Sequence, residues 1–466
     1  MLRGRAVILA GAGIVAGLWC ATGITADHAA LGDDAGSITA PALATAAAVR
    51  IRPVTTGDLV SVYEVSDLSD TTITAVEGAA AGIGAQTTLT SGFSVGMVAV
   101  RRGASYVQQA SGSSGLWQYP MGVSAMPVDA MRAVMGDRVA SAIGAGGVVM
   151  GQTTAGLRGA QQGDVIDLVA ASGAIVSFAI GLVATDAEVG GTELVMSPEQ
   201  AATLGPIQPT RVLVYGTFDR TGIEAALAGR GMYDGELFAG RRIRIRRSWA
   251  PPDPDGTLGL ARTKQLLGEF DYTLLSSGDV AIDPAWRAAE IVRVDFADIA
   301  IRTNCHVAII ADLQAALTEI AQSGLAGAID LANTNSYGGC YYARFNRVTG
   351  NLGFLSRHTW GQPIDMNTLT NAQGTVPKMD CRVVRIFRKH HFAWGGNFLS
   401  SDGMHFEWVG EPRDQLLYPS KYCPNLPGGA IAGLTGAGAV DRIDAAMTAA
   451  DQRSTFFAGD GWGNGD

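Results

Sequence analysis

The apolar positions of this chain change period several times, and each change marks an element. "VIDLVAASGAIVSFAIGLVA", Val165 to Ala184, carries β-branched residues on both sides of Ser172-Gly173 and predicts two strands joined by a tight turn. "SPEQAATLG" predicts a helix with Ser197 as N-cap, Pro198 in the first helical position and Gly205 closing it. "TRVLVYG" reads as another strand, leading to a helix around Gly222 to Leu227. In "RRIRIRRSW", Arg241 to Trp249, arginine alternates with Ile243 and Ile245, which predicts a strand with one solvated basic face. Contact of that face with an anionic wall polymer or lipid head groups is the competing reading. No repeat at a period of about 20 to 50 residues is visible. Residues 49–247 thus read as one α+β domain without an evident catalytic cluster.

"APPDPDG", Ala250 to Gly256, crowds three prolines and two acids together and marks a linker, placed at 248–264. Beyond it the period becomes helical. "CHVAIIADLQAALTEIAQSGL" puts Ile309, Ile310, Leu313, Leu317 and Ile320 on one stripe, with Gly324 placed to end the helix. "DCRVVRIFRKH" predicts a shorter helix capped by Asp380. After Pro424 the chain turns Gly- and Ala-rich, with one helix expected near Asp441 to Ala450. A second folded domain over 265–425 and a peripheral tail over 426–466 follow.

Composition narrows the classes. The 466 residues are 47% hydrophobic and 17% charged, which describes folded material, and a net charge of -9 argues against a nucleic-acid partner. Arg3 and Arg5 precede an uncharged stretch, Ala6 to Ala26, so residues 1–30 read as a cleaved signal peptide or a retained membrane anchor. Either places the rest outside the cytoplasm. Cys20 follows Trp19, which is not the small residue that lipid attachment needs. In an oxidising compartment Cys305, Cys340, Cys381 and Cys423 allow two disulfides in three connectivities; Cys305 with Cys340 and Cys381 with Cys423 is the pairing we favour. No CxxC pair exists, which argues against a cysteine zinc site.

Five of the six histidines fall after the linker. "SRHTWGQPIDMN" holds His358 and Asp365 seven apart, and "SDGMHFEW" holds Asp402 and His405 three apart. A catalytic zinc takes three His or carboxylate ligands and keeps a fourth position for water, whose pKa falls towards about 7. His358, Asp365 and His405 would make such a set if the fold brings the two stretches together. Asp402 is then the group that moves protons, and Glu407 orients His405 or pairs with an arginine. His390 and His391 beside Lys389 read as satisfying carbonyls at a helix end, and His306 as structural.

Ser356-x-His358-x2-Gly361-x3-Asp365, then "WGGNF", then "DGMHFE", resembles the D-alanyl-D-alanine carboxypeptidase and L-alanyl-D-glutamate endopeptidase family of zinc peptidases, which includes vancomycin-resistance carboxypeptidases and phage endolysins. The similarity extends upstream through "GEFDY", "DPAW" and "NTNSYGGCYYAR" and covers roughly Gly268 to Val409. It implies an α+β fold with a small antiparallel sheet flanked by helices, zinc on His358, Asp365 and His405, and Asp402 as acid and base. It also implies that Arg344 grips a substrate carboxylate or polarises its carbonyl, and that Ser356 contacts substrate or supports the site. Aspartate at 402 looks like the endopeptidase branch. Pro363 stands where the family has a small alanine, which puts the strand carrying Asp365 at an edge or displaces it. Residues 49–247 show a fainter likeness to the extracytoplasmic domain of ABC-transporter permeases.

The expected function is an exported zinc peptidase, D,D-carboxypeptidase or L-Ala-D-Glu-type endopeptidase, acting on the peptidoglycan stem peptide. Trp360, Trp394 and Tyr337 are expected along its groove. A non-catalytic wall-peptide binding module and a membrane-tethered interaction protein, attached through residues 6–26, are the alternatives. Oligomeric state is open.

Overall fold

A computed structural model describes residues 58–423 apart from 66, 113–115, 247–256, 277–278, 333–335, 348–352, 414–419 and 421. The signal or anchor, the "APPDPDG" run and the tail helix lie outside the described residues. Among the described residues no helix is long and apolar enough to cross a membrane. The described residues all fall within one compact unit.

The first half runs β1 (Asp58–Glu64), α1 (Asp70–Ala81), β2 (Gln86–Arg102), β3 (Ser105–Gln109), β4 (Tyr119–Ala125), α2 (Val128–Met135), α3 (Asp137–Gly144), β5 (Val148–Gly151) and α4 (Gln152–Arg158). It continues with β6 (Val165–Val169), β7 (Ile175–Ala184), β8 (Leu194–Met196), α5 (Pro198–Ala202), β9 (Arg211–Gly216), α6 (Arg220–Ala228), β10 (Leu237–Phe238) and β11 (Arg241–Arg246). Six strands close on themselves: β2 pairs β4, β4 pairs β8, β8 pairs β5, β5 pairs β7, β7 pairs β6, and β6 returns to β2. Closure removes the unpaired edges, and Met97, Val123, Met150, Ile166, Leu168 and Ile180 fill the apolar core. The 17-residue β2 outruns the barrel, so its first residues pair β9 and carry the sheet on through β1, β11 and β10. Gly173 takes a positive φ in the expected turn between β6 and β7, and Ser197 with Gln200 completes a capping box on α5.

The basic strand differs from its expectation. Arg244 and Arg246 both reach Asp234, at 3.3 and 3.0 Å, and Arg241 reaches Glu64 at 3.2 Å. The side chains of Arg244 and Arg246 are only 11% and 8% exposed, so this face is a paired seam and not a solvated one.

The second half runs α7 (Leu260–Leu267), β12 (Tyr272–Leu274), β13 (Val280–Ile282), α8 (Pro284–Glu290), β14 (Ile291–Phe296), β15 (Ile301–His306) and α9 (Ile310–Gln322). Then come β16 (Pro363–Asp365), α10 (Cys381–Lys389), β17 (Phe392–Trp394) and β18 (His405–Trp408). The last three strands form an antiparallel sheet in the order β16-β18-β17. Pro363 is tolerated because β16 is an edge strand: among the described strands it pairs with β18, and its other side meets Gly339 only through an isolated bridge at Asp365. Leu313, Leu317 and Ile320 of α9 and Val383 and Phe387 of α10 pack with Ile364 and Phe406 in one core. Trp394 lies in that core and Trp360 in a neighbouring one, both fully buried, so neither lines a groove; Tyr337 packs partly buried against the first.

The two halves meet at a buried joint. Lys264 of α7 sits 2.7 Å from Glu193 and 3.1 Å from Glu269, while Arg158 of α4 reaches Glu269 at 2.5 Å and Glu193 at 3.7 Å. The Lys264 ammonium also donates to the Pro120 carbonyl, and Gln118 and Tyr272 exchange two backbone hydrogen bonds. Residues from 260 onward, expected as linker, are therefore a packed helix.

Candidate metal centre

Strand period places the site. Antiparallel register sets Asp365 opposite His405, Ile364 opposite Phe406 and Pro363 opposite Glu407. Ile364 and Phe406 turn into the core, so Asp365, His405 and Glu407 share the other face. A slip of one residue would send both ligands into the core.

His358 arrives from a 3₁₀ turn, Arg357–Trp360. The Ser356 hydroxyl caps that turn by accepting the His358 N–H at 3.2 Å, and Gly361 ends it at a φ of 64°. A side chain at Gly361 would meet Ile291 at 2.8 Å, so the glycine serves both conformation and packing.

The three donors converge. Nε2 of His358 lies 3.2 Å from Asp365 Oδ2, Nδ1 of His405 lies 3.2 Å from Asp365 Oδ1, and one ligand atom from each falls within 4.8 Å of the others. The outer ring nitrogens are occupied: His358 Nδ1 donates to the Cys340 carbonyl at 2.8 Å, and His405 Nε2 lies 3.3 Å from Glu407. Both imidazoles thus aim their other ring nitrogen inward, His405 Nδ1 at Asp365, where a bound metal would take the place of a proton. Glu407 is held by Gln362 at 3.3 Å and lies 3.7 Å from Arg357. Two imidazoles and one carboxylate at this separation suit zinc.

Electrostatics agree. Burial opposes charge on Asp365, but His358 and His405 outweigh it and hold the carboxyl well below the usual range. Burial also opposes the His405 imidazolium, yet Asp365, Glu407 and Asp402 raise its pKa well above the ordinary value.

Asp402 is 1% exposed and lies on the turn entering β18, where its carbonyl accepts the His405 N–H at 3.2 Å. Gly395 makes that turn possible, because a Cβ there would stand 2.5 Å from the Asp402 carbonyl. Arg344 is tied to the His358 turn through its backbone: its N–H donates to Thr359 Oγ1 at 3.2 Å, and its carbonyl accepts from Ser356 N at 2.9 Å. Its guanidinium lies 5.9 Å from the Tyr342 ring and donates to the Phe345 carbonyl.

The remaining histidines have other partners. His390 meets Glu319 at 2.6 Å and His391 meets Asp312 at 2.8 Å, so they pair with acids of α9 and not with helix-end carbonyls. His306 bridges Leu267 O and Ala308 N. The disulfides are Cys305–Cys340 and Cys381–Cys423. The arginine expected beside Glu407 is Arg357, while sequence reasoning missed Gln362 and the Cys340 carbonyl as supports; the Gly338-Gly339 pair before Cys340 was the available signal, since tandem glycines mark close backbone approach.

The D-alanyl-D-alanine carboxypeptidase family profile matches residues 349–408, a span containing His358, Asp365, Asp402, His405, Ser356 and Glu407 but not Arg344. No curated protein matches the chain. The permease likeness of residues 49–247 receives no support, and that region holds a six-stranded barrel with an extended sheet.

Proposed function

We propose that this chain is an exported zinc peptidase that hydrolyses an amide bond in the peptide stem of peptidoglycan. The observation that carries the reading is the convergence of His358 from its 3₁₀ turn, Asp365 from β16 and His405 from β18, inside the stretch that matches the carboxypeptidase family. Zinc bound there would make a water acidic enough to deprotonate near neutral pH and would polarise the scissile carbonyl.

The protein's own groups do the rest. Asp402 takes the proton of the attacking water and returns it to the leaving amine. Glu407 keeps the proton of His405 on Nε2, so that Nδ1 stays a donor to the metal. Arg344 anchors a substrate carboxylate or the developing oxyanion with its planar fork, and Ser356 holds the His358 turn in place. Aspartate at 402 favours the L-Ala-D-Glu endopeptidase outcome over the D,D-carboxypeptidase one. Two disulfides support an extracytoplasmic setting.

Mass spectrometry of purified muropeptides after digestion by the full chain tests this reading. Zinc-loaded protein is expected to release either terminal D-alanine or the peptide beyond L-alanine, and chelator or His405→Ala to abolish it. Unchanged muropeptide masses at every zinc loading sink the proposal.

A further inference from the structure

Residues Gly338 to Tyr342 form neither helix nor strand, yet they touch two of the three candidate ligands. The Cys340 carbonyl accepts the His358 Nδ1 proton at 2.8 Å, and the Tyr342 N–H donates to the His358 carbonyl at 3.0 Å. Asp365 N–H donates to the Gly339 carbonyl at 3.4 Å, and a Cβ on Gly338 would lie 3.3 Å from that of Asp365. The segment is a strut pressed against both ligands.

Its other side is fastened to β15. Cys340 N–H donates to Thr303 Oγ1 at 3.3 Å, Tyr341 N–H donates to the Asn304 carbonyl at 3.0 Å, and the disulfide joins Cys340 to Cys305. Both sulfurs are fully buried. The second disulfide, Cys381–Cys423, joins the first residue of α10 to a segment 42 residues further on and has no hydrogen bond to His358 or Asp365 through either cysteine's backbone comparable to that of Cys340.

We propose that Cys305–Cys340 is a positioning disulfide for the metal site: by pinning the strut it fixes the tautomer and aim of His358 and the seat of Asp365, and so sets metal affinity. The physical reason is that an imidazole offers Nε2 to a metal only while its proton stays on Nδ1, and the Cys340 carbonyl is what keeps it there. The strut has isolated hydrogen bonds and one bridge in place of a continuous ladder, and the covalent bond to β15 adds the restraint that keeps the Cys340 carbonyl at 2.8 Å from His358. Cys381–Cys423 then contributes to stability alone.

This rests on the zinc-peptidase reading, and the test separates the two. Zinc affinity is measured by competition with a chromophoric chelator, and ligand geometry by the visible bands of the cobalt-loaded full chain. Cys305→Ala with Cys340→Ala is expected to bind zinc about 10- to 100-fold more weakly and to shift the cobalt bands, the size of effect usual for losing a group that orients a ligand. Cys381→Ala with Cys423→Ala should lose thermal stability while keeping wild-type zinc affinity and bands. Equal affinity losses in both pairs, or none in the first, overturn the proposal. If the first pair does not fold, Gly339→Ala decides: it keeps both sulfurs but drives a methyl to 2.4 Å from Thr303 Oγ1. Weakened zinc binding in that variant supports the strut, and unchanged binding overturns it. Wild-type protein that takes up no metal defeats the zinc reading itself, whereas metal-binding, active wild type with indifferent variants defeats only the strut.

Discussion

At the joint between the halves, Arg158 and Lys264 face Glu193 and Glu269, two cations against two carboxylates. Beside β16 and β18, Asp365 meets His358 and His405, Glu407 meets His405 and the Arg357 guanidinium, and Asp402 acts on His405 from the turn entering β18. Both clusters are buried, and burying net charge is costly. The joint cancels internally and asks for nothing further. The ligand cluster sets carboxylates against imidazoles, which are neutral when they bind a metal, so Asp365 between His358 and His405 is matched by a cation that the site would receive. Its protonation follows the same logic: without metal, the carboxylates hold a proton on His405 against the effect of burial. Balance distinguishes a structural polar cluster from one built to receive an ion.

Breaking the ligand cluster at Asp402, the proton carrier we propose, should have the largest consequence. Asp402→Asn is expected to lower the hydrolysis rate by about 10²- to 10⁴-fold while zinc affinity, read by chelator competition, stays near wild type. Equal losses in rate and metal affinity would show that Asp402 acts as a ligand instead.

Lys264→Met strikes the balanced cluster. It leaves two buried carboxylates to share one guanidinium and should destabilise the fold by about 3–5 kcal/mol in urea denaturation, since a buried pair that loses one partner leaves a charge uncompensated. Replacing Glu193 by Leu in the same chain should recover much of that loss. Zinc affinity of the folded variant should not change, which is the contrast with Asp402 in reverse.

Glu407→Gln should weaken zinc binding by about 10- to 100-fold by loosening the orientation of His405, and should also lower the denaturation midpoint, since Arg357 loses a buried partner 3.7 Å away. The smallest effect is on acid stability. Burial raises the pKa of Glu269, but Arg158 and Lys264 more than offset it, so the folded value lies below the ordinary 4.5. Stability linked to a depressed carboxyl is complete above the unfolded pKa and lost as pH falls through the folded one. The urea midpoint of wild type should therefore fall towards that of Glu269→Gln as pH drops from about 6 to about 3. A gap between them that stays constant over that range would exclude the carboxylate as its source.

Much of the site could be read along the chain because its pieces are local. Ser356, His358 and Gly361 belong to one capped turn, and the Asp402-to-His405 turn lies next to the strand it feeds. The supports were not legible, since Gln362 reaches Glu407 and Cys340 reaches His358 only through packing. The tryptophans misled for a related reason: Trp360 and Trp394 lie beside ligand motifs in sequence, but the core claims large apolar rings wherever backbone direction allows. The arginines of β11 read as solvated because Asp234, which covers two of them, sits in a turn before the strand and faces it only after folding.

The sequence by itself determined the local conformations: the turn at Gly173, the cap at Ser197, the α9 stripe and the identity of the donor residues all follow from side-chain chemistry acting over a few positions. Tertiary structure alone decided that β6 returns to β2 to close a barrel, that α7 buries its lysine between two acids, and that Asp365 stands opposite His405 forty residues away. Pairing between distant strands depends on which faces the whole core can bury at once, and no short window of sequence contains that constraint.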